Sequence, residues 1–333
     1  MTSSSISQKV VVLGTGGTIA GRAASSADNL GYTAAQVGVS QLLDAVPGLP
    51  GVLAGRTLVT EQVAQIDSKD MSFAVWQQLV LRVSHHLAQA DVQGVVITHG
   101  TDTLEETAYF LHAALPEALL AGKPVVLTCA MRPASSAAPD GPQNLLDAVA
   151  VAMTPGAQGV VAVCAGTVHS ALDVQKVHTY RVDAFNSGDA GPLAYVEEGR
   201  LRLLRNWPLA PVDSDRIAIE NIASVQHWPR VEIVMNHAGA SGAMVDALMS
   251  QTQTTGTEVA PLRGLVVAAT GNGTVHHELE AALLRAQAAG VKVVLATRCA
   301  SGRVLPTPGH AFADSQGLSP VKARVALMLA LLS

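Results

Sequence analysis

Aromatic side chains make up only 3% of this 333-residue chain, and charged side chains only 14%. With 49% apolar residues beside so little charge, extensive disorder is excluded, because a disordered chain is kept open by charge and low hydrophobicity. Basic residues are fewer than acidic ones, 21 against 26, and form no cluster. A nucleic-acid partner demands a basic footprint and is therefore excluded. No run reaches the roughly 18 apolar residues of a membrane span, so no membrane partner is expected. Cysteine is scarce: Cys129, Cys164 and Cys299 are odd in number, far apart, and each lies at or just after a Val-rich run. They are expected to be buried free thiols. Neither H-E-x-x-H nor C-x-x-C occurs, and His85-His86 and His276-His277 read as solvated or capping histidines, so no metal or other cofactor is expected. The segment Met1–Lys9 offers one late positive charge and no long apolar region, which makes a cytoplasmic location the expectation.

The apolar content is mostly Ala, Val and Leu. That mixture suits a Val-rich parallel sheet covered by Ala/Leu-rich helices. Short β-branched runs at Lys9–Leu13, Gly94–Thr98, Pro124–Cys129 and Gly159–Cys164 alternate with helical periodicity over Ser72–Ala90, Leu104–Leu115 and Asn144–Met153. Such alternation is the signature of βαβ units. A less regular stretch from about Pro192 to Pro229 is interrupted by prolines. The pattern restarts with strands Val231–Met235, Gly264–Ala269 and Val291–Ala296 and helices Glu278–Ala289 and Val321–Leu332. We therefore expect an α/β chain: a doubly wound, mostly parallel N-terminal domain over 1–205, a linker over 206–228, and a smaller α/β domain over 229–333. Ligands of open α/β sheets bind beyond the carboxyl ends of the strands, so polar residues directly after the Val runs are the candidates for chemistry.

The first strand runs into G-T-G-G-T-I-A-G, Gly14–Gly21. The dinucleotide fingerprint G-x-G-x-x-G fails at Ile19, and the phosphate loop fails at Arg22-Ala23. The glycines can instead bend the backbone and present N–H groups, while Thr15 or Thr18 supplies a hydroxyl able to act as a nucleophile. A threonine in a glycine turn is more often only a turn hydroxyl. Tyr32, one of four tyrosines, lies downstream in N-L-G-Y-T and reads equally well as a packing residue or an acid/base group.

The strand ending at Thr98 leads into H-G-T-D-T-L-E-E-T-A, where a helix begins. Asp102 or Thr103 makes a good N-cap, and Thr103 with Glu106 fits a capping box. That accounts for part of the polar cluster but not for His99-Gly100-Thr101 as well. A hydroxyl, a carboxylate and free N–H donors at a helix start suit an α-amino acid, with Asp102 on its ammonium group and the N–H groups on its carboxylate. Lys176, in L-D-V-Q-K-V-H, is either a surface lysine or a partner able to take a proton from a neighbouring hydroxyl.

T-G-G-T-I-A-G and H-G-T-D-T-L-E-E-T-A together closely resemble the two threonine signatures of the bacterial-type L-asparaginase family. The similarity continues through I-D-S-K-D-M (Ile66–Met71), A-M-R-P and D-G-P-Q-N-L (Ala130–Leu145), L-D-V-Q-K (Leu172–Lys176), G-N-G-T (Gly271–Thr274) and K-A-R-V (Lys322–Val325). The resemblance implies a metal-free amidohydrolase that splits L-asparagine into L-aspartate and ammonia. It implies a homotetramer built from intimate dimers, with each site between the N-terminal domain of one subunit and the C-terminal domain of its neighbour. By position, Thr18 would be the nucleophile, with Tyr32 near it on a lid-like segment, and Thr101, Lys176 and Asp102 the second catalytic set. Ser68 and Asp102 would hold the substrate's carboxylate and ammonium ends. The N–H groups of Thr101 and Ala130 would lie near the oxyanion, and Thr274 would reach the neighbour's site.

This chain departs from the family pattern in three places. Lys69 replaces a Gln or Glu and cannot accept a hydrogen bond, so it is expected to point elsewhere. Thr274 replaces an Asn or Ser. The stretch between Arg303 and Lys322 is short and lacks the acidic residue that some members donate across the interface. A glutaminase-asparaginase of the same fold and a non-catalytic amino-acid-binding relative are the alternatives, as is, more remotely, a transfer-RNA amidotransferase subunit.

Overall fold

The computed structural model describes residues 8–208, 217–251 and 260–332. The chain divides into two compact units, Met1–Asp213 and Ser214–Ser333.

The first unit is built on an eight-stranded sheet. In chain order its strands are β1 (Lys9–Gly16), β2 (Thr57–Ile66), β3 (Val92–Thr98), β4 (Val125–Thr128), β5 (Val160–Cys164) and β6 (Thr167–Ser170), then, after a separate two-stranded hairpin of β7 (Gln175–Lys176) and β8 (Phe185–Asn186), β9 (Ala194–Glu197) and β10 (Arg200–Leu203). The spatial order is β10-β9-β6-β5-β4-β3-β1-β2. Strands β2, β1, β3, β4 and β5 run parallel, while β5–β6, β6–β9 and β9–β10 pair antiparallel.

Alternate residues of the central strands face opposite helical layers. Val10, Val12, Val96, Val126, Val161 and Val163 pack with Leu145, Ala148, Val149 and Ala152 of a helix and with two short ones. These helices are α1 (Val39–Asp44), α2 (Leu49–Leu53) and, further along the chain, Gly141–Ala152. On the other face lie α3 (Phe73–Leu87) and α4 (Leu104–Ala114). The α5 turn (Glu117–Leu120) precedes β4, and Gly141–Ala152 is then α6. Both faces of β1, β3, β4 and β5 are therefore dry, which is why these strands read as continuous Val runs.

Helix α3 starts where the Ser72 hydroxyl accepts from the Val75 N–H at 3.4 Å. It buries Trp76, Leu79, Val80, Val83 and Leu87, a stripe of helical period. Trp76 stacks on Phe110 of α4 with ring centroids 4.8 Å apart and donates to Thr107 Oγ1 at 2.9 Å. His86 is not solvated as expected. It is buried, and its Nε2 lies 2.9 Å from Glu61 of β2, whose carboxylate also accepts two bonds from Arg82. Those bonds hold the Glu61 carboxyl below its ordinary range, the Arg82 hydrogen bonds contributing most. A helix wheel sets Arg82 and His86 one turn apart but does not show Glu61, which comes from a strand twenty-five residues away in the chain.

The second unit is a four-stranded parallel sheet in the order β11 (Arg230–Met235), β12 (Leu262–Ala269), β13 (Lys292–Thr297), β14 (Ala313–Asp314). A short helix, α7 (Ile219–Ser224), precedes it within the span expected as linker. Residues of α8 (Ala243–Gln251) and α9 (His277–Ala288) pack on one sheet face around Leu265, Val267 and Leu295. The last helix, α10 (Pro320–Ala330), packs on β11, β12 and β13. His276 caps α9, its Nδ1 accepting from the Glu278 N–H at 3.3 Å. Among the described residues no helix is long and apolar enough to cross a membrane.

Two of the three cysteines are buried as expected and one is not. Cys129 and Cys164 follow paired positions of β4 and β5, and their Sγ atoms lie 3.2 Å apart, while Cys299 is exposed. The Cys164 contact, then burial, pushes the Cys129 thiol well above its ordinary value.

Candidate active site

In the first unit Thr18, Ser68, Thr101, Asp102 and Ala130 follow the carboxyl ends of β1, β2, β3 and β4, Thr15 lies at the end of β1, Tyr32 on the stretch between β1 and α1, and Lys176 on β7. The glycine loop after β1 folds tightly. Gly17 has φ of 82°, and a Cβ there would collide with the backbone of Gly100. A Cβ on Gly100 would in turn collide with the Ser68 hydroxyl. Only glycine at both positions lets the first loop, the Thr98–Thr103 segment and the Ser68 turn come together.

Within the first loop the two threonines separate by role. Thr15 is buried and donates its hydroxyl to the Thr98 carbonyl at 2.9 Å, tying β1 to β3. Thr18 begins a single 3₁₀ turn, Thr18–Ala20, and its hydroxyl lies 2.7 Å from the Tyr32 hydroxyl. Tyr32 is brought back by a two-residue antiparallel bridge, Arg22 with Thr33, at 2.9 and 2.8 Å. Its ring passes close to Gly21, where a Cβ would sit 2.8 Å from it. Of the two open readings for each residue, the geometry places Thr18 and Tyr32 in one hydroxyl pair.

The second cluster joins residues distant in sequence. Lys176 Nζ donates to Thr101 Oγ1 at 2.8 Å and to Asp102 Oδ1 at 2.6 Å. Thr101 Oγ1 lies 3.4 Å from the same carboxylate oxygen. The Lys176 side chain is 20% exposed and that of Asp102 51%, so one end of the cluster is dry and the other meets solvent. Lys176 is thus no ordinary surface lysine. The β7–β8 pairing, extended by Val177 N–H to the Ala184 carbonyl at 2.8 Å, presents it at this spot.

Ser68 is 2% exposed, and its hydroxyl accepts from the Asp102 N–H at 3.1 Å. The expected capping box is not formed. Thr103 is the N-cap of α4, but its hydroxyl donates to the Ser68 carbonyl at 2.8 Å instead of capping the helix. The competing partner is the Ser68 turn, which no local motif of the 98–108 segment encodes. Lys69 points to Asp70 and Asp67 at 2.9 and 3.1 Å and is exposed. Those carboxylates, Asp70 foremost, raise its affinity for its proton.

Ala130 is buried directly after β4, in a turn organised by Asp140, whose carboxylate accepts from the N–H groups of Met131 and Arg132 at 2.9 and 2.8 Å. Asn144 donates to the Cys129 carbonyl at 2.9 Å and accepts from the Ala165 N–H, also at 2.9 Å. Thr274 belongs to the second unit, where it bridges Thr270, its hydroxyl donating to the Thr270 carbonyl at 3.0 Å. Among the described residues no three His, Cys, Asp or Glu side chains group as metal ligands.

One buried residue of the cluster had no role in the sequence reading. His99 is fully buried, and its Nδ1 lies 2.7 Å from the Gly100 carbonyl. Its position inside H-G-T-D was the only signal.

The arrangement offers a hydroxyl paired with a phenol and a second hydroxyl held by an ammonium and a carboxylate, beside free backbone donors. Such a set can do acyl transfer on a small polar substrate. The Asparaginase, N-terminal family model matches residues 9–209, and the Glutaminase/Asparaginase C-terminal domain model matches residues 230–333. The chain is 37% identical over 329 residues to L-asparaginase 2 of Escherichia coli (strain K12), covering 97% of this chain and 88% of that protein. It is also 37% identical over 331 residues to a glutaminase-asparaginase of Pseudomonas fluorescens biotype A, covering 97% and 86%. Among solved structures, a probable cytoplasmic L-asparaginase from Campylobacter jejuni superposes with a TM-score of 0.85 at 35% identity, over 97% of this chain and 95% of that one.

Proposed function

Because this chain belongs to the asparaginase family, we propose that it hydrolyses the side-chain amide of L-asparagine to L-aspartate and ammonia through an acyl-enzyme on Thr18. The observation that carries this reading is the pair of hydroxyl clusters, Thr18 with Tyr32 and Thr101 with Lys176 and Asp102, on loops in backbone contact.

In the first step the Thr18 oxygen bonds to the amide carbon while its proton passes to the Tyr32 oxygen, which hands its own proton on to the amide nitrogen. The carbon–nitrogen bond breaks and the nitrogen, having gained that proton, departs as ammonia. In the second step a water oxygen bonds to the ester carbon, its proton is taken up by the Thr101–Lys176–Asp102 set, the bond from that carbon to the Thr18 oxygen breaks, and one proton is returned in exchange to the Thr18 oxygen as aspartate leaves. Proton transfers of this kind contribute roughly 10²–10⁴-fold, and one oxyanion donor roughly 10²–10³-fold. The N–H groups of Thr101 and Ala130 serve as those donors. Ser68 and Asp102 hold the substrate's carboxylate and ammonium ends. The domains run over 1–205 and 229–333 with a linker at 206–228, and Thr274 completes the neighbouring subunit's site in a dimer or tetramer.

Glutamine is one methylene longer, which a snug pocket distinguishes by roughly 1–3 kcal/mol. Lys69, engaged with Asp67 and Asp70, offers the substrate ammonium no acceptor. With the short Arg303–Lys322 stretch, this leaves Asp102 as the main ammonium partner. Asparagine should be preferred at least ~10-fold in kcat/KM, the low end of that range, with a weak KM. Ammonia release from each amide, measured on size-fractionated protein, tests the proposal. Equal efficiency on glutamine would make the chain a glutaminase-asparaginase, an active monomer would refute the shared site, and no ammonia from either substrate would refute the activity. A cytoplasmic location fits the exposed free thiol of Cys299 and the name of the Campylobacter jejuni neighbour, although a Haemophilus influenzae relative is named periplasmic. Activity of fractionated cells decides it.

A further inference from the structure

We infer that His99 is a positioning residue: by donating from Nδ1 to the Gly100 carbonyl it fixes the Gly100–Thr101 peptide so that the Thr101 N–H faces the developing oxyanion. This rests on the acyl-transfer reading of the site and extends it to a residue that touches no substrate.

His99 is the last residue of the Thr98 segment held by the sheet, its N–H donating to the Thr128 carbonyl at 2.8 Å. Gly100 is the first residue off the sheet. A glycine peptide at a strand end has more conformational freedom than any other, and an N–H that must wait for a transient charge cannot be left to that freedom. The chain contains no cis peptide bond among the described residues, so the Gly100 carbonyl and the Thr101 N–H point in opposite directions across one rigid plane. Fixing the carbonyl therefore fixes the N–H. The bond to the imidazole, 2.7 Å long and fully buried, fixes the carbonyl toward the protein interior. The Thr101 N–H is left facing the other way and donates to no described group.

The imidazole is adapted to this single bond. A carbonyl accepts only, so Nδ1 must carry the proton, and Nε2 is then a bare acceptor that is buried without a hydrogen-bond partner. Burial pushes the imidazole down to about 4, against a smaller upward effect of the Gly100 bond. The ring is accordingly neutral, and its donor constant, throughout the neutral range. An apolar side chain would fill the same volume without stranding Nε2. Directing the peptide is what the imidazole adds.

The test compares two substitutions. His99→Asn puts its side-chain N–H close to where Nδ1 stood, while His99→Leu keeps bulk and removes the donor. The expected result for His99→Leu is a kcat lower by ~10–100-fold, the cost of a misplaced donor, with KM within about threefold. His99→Asn should recover most of that kcat. Equal losses in both folded variants, or a loss confined to KM, would overturn the inference. Nitrogen-15 shifts of the wild-type imidazole give an answer that does not depend on a variant folding. A neutral Nδ1–H ring between about pH 5 and 9 supports the inference, and an Nε2–H ring or a titration near the ordinary His value overturns it. A wild-type chain that releases no ammonia overturns the reading of the site and this inference with it. An active wild type with an unaffected His99→Leu overturns this inference alone.

Discussion

Replacing Lys176 with methionine separates a structural ion pair from a catalytic one, because the two roles predict very different magnitudes. The pair is short, with Nζ 2.6 Å from Asp102 Oδ1 and 2.8 Å from Thr101 Oγ1. Coulomb attraction at that separation would be about 6 kcal/mol at an effective dielectric of roughly 20. The Asp102 side chain is 51% exposed, however, and pairs with one partner in water are worth only about 0.2–1 kcal/mol. The solvent term wins, so Lys176→Met should lower stability by no more than about 1 kcal/mol, a Tm shift of about 2–4 °C. Losing the group that relays the proton should cost ~10²–10⁴-fold in kcat, or about 2.7–5.5 kcal/mol of barrier. The assay is steady-state ammonia release from asparagine beside a thermal melt. A kcat within about threefold of wild type, or a loss appearing in KM alone, would refute the relay and return Lys176 to a structural role.

Three further outcomes are expected. Gly17→Ala should destabilise by about 2 kcal/mol or more and lower turnover, because its Cβ meets the Gly100 backbone at a φ that disfavours any side chain; denaturant midpoints and kcat check this, and a neutral substitution would show that the loop contact is slack. Native protein should titrate one thiol of its three, Cys299, with an aromatic disulfide reagent, and all three after unfolding; two or more in the native state would contradict the burial of the Cys129–Cys164 pair. His99, held at about 4 by burial instead of its ordinary 6.5, takes up its proton only when unfolded in the window between. Stability should therefore be complete above that window and fall by about 2 kcal/mol between pH 6.5 and 5. His99→Asn should lose that part of the pH dependence in denaturant titrations, and an unchanged dependence would contradict it.

Much of the fold could be read from the sequence because the central strands are buried on both faces. β3, β4 and β5 appear as Val runs within a residue or two of their bounds, and β1 runs three residues past Leu13 into the glycine loop. β2 is not visible as a Val run because it is the edge strand, and Thr57–Ile66 is half-buried to exposed throughout, with no fully buried residue. The hairpin of β9 and β10 was hidden in the stretch marked irregular, since its residues carry Glu197, Arg200 and Arg202 on a solvated edge. At the site, the motifs identified Thr18, Thr101 and Asp102, but spacing alone left Thr15 and Thr18 equivalent. In the structure the bond from Thr15 to the Thr98 carbonyl, eighty-three residues away, and the pairing of Thr18 with Tyr32 tell them apart. The same holds for Lys176, whose partners lie 75 and 74 residues away, and for Thr103, whose hydroxyl is claimed by Ser68. Local patterns encode elements, whereas these bonds depend on which strand ends the topology makes neighbours.

The threonine mechanism is tested most directly by acid quenching of the enzyme during turnover of asparagine, followed by mass spectrometry of its peptides. The expected product is an aspartyl ester on Thr18, absent from Thr18→Ala and accumulating when Lys176→Met slows the attack of water. An ester on Thr101 or Thr15 would move the nucleophile. Turnover by a Thr18→Ala protein at a substantial fraction of the wild-type rate would contradict the threonine mechanism itself.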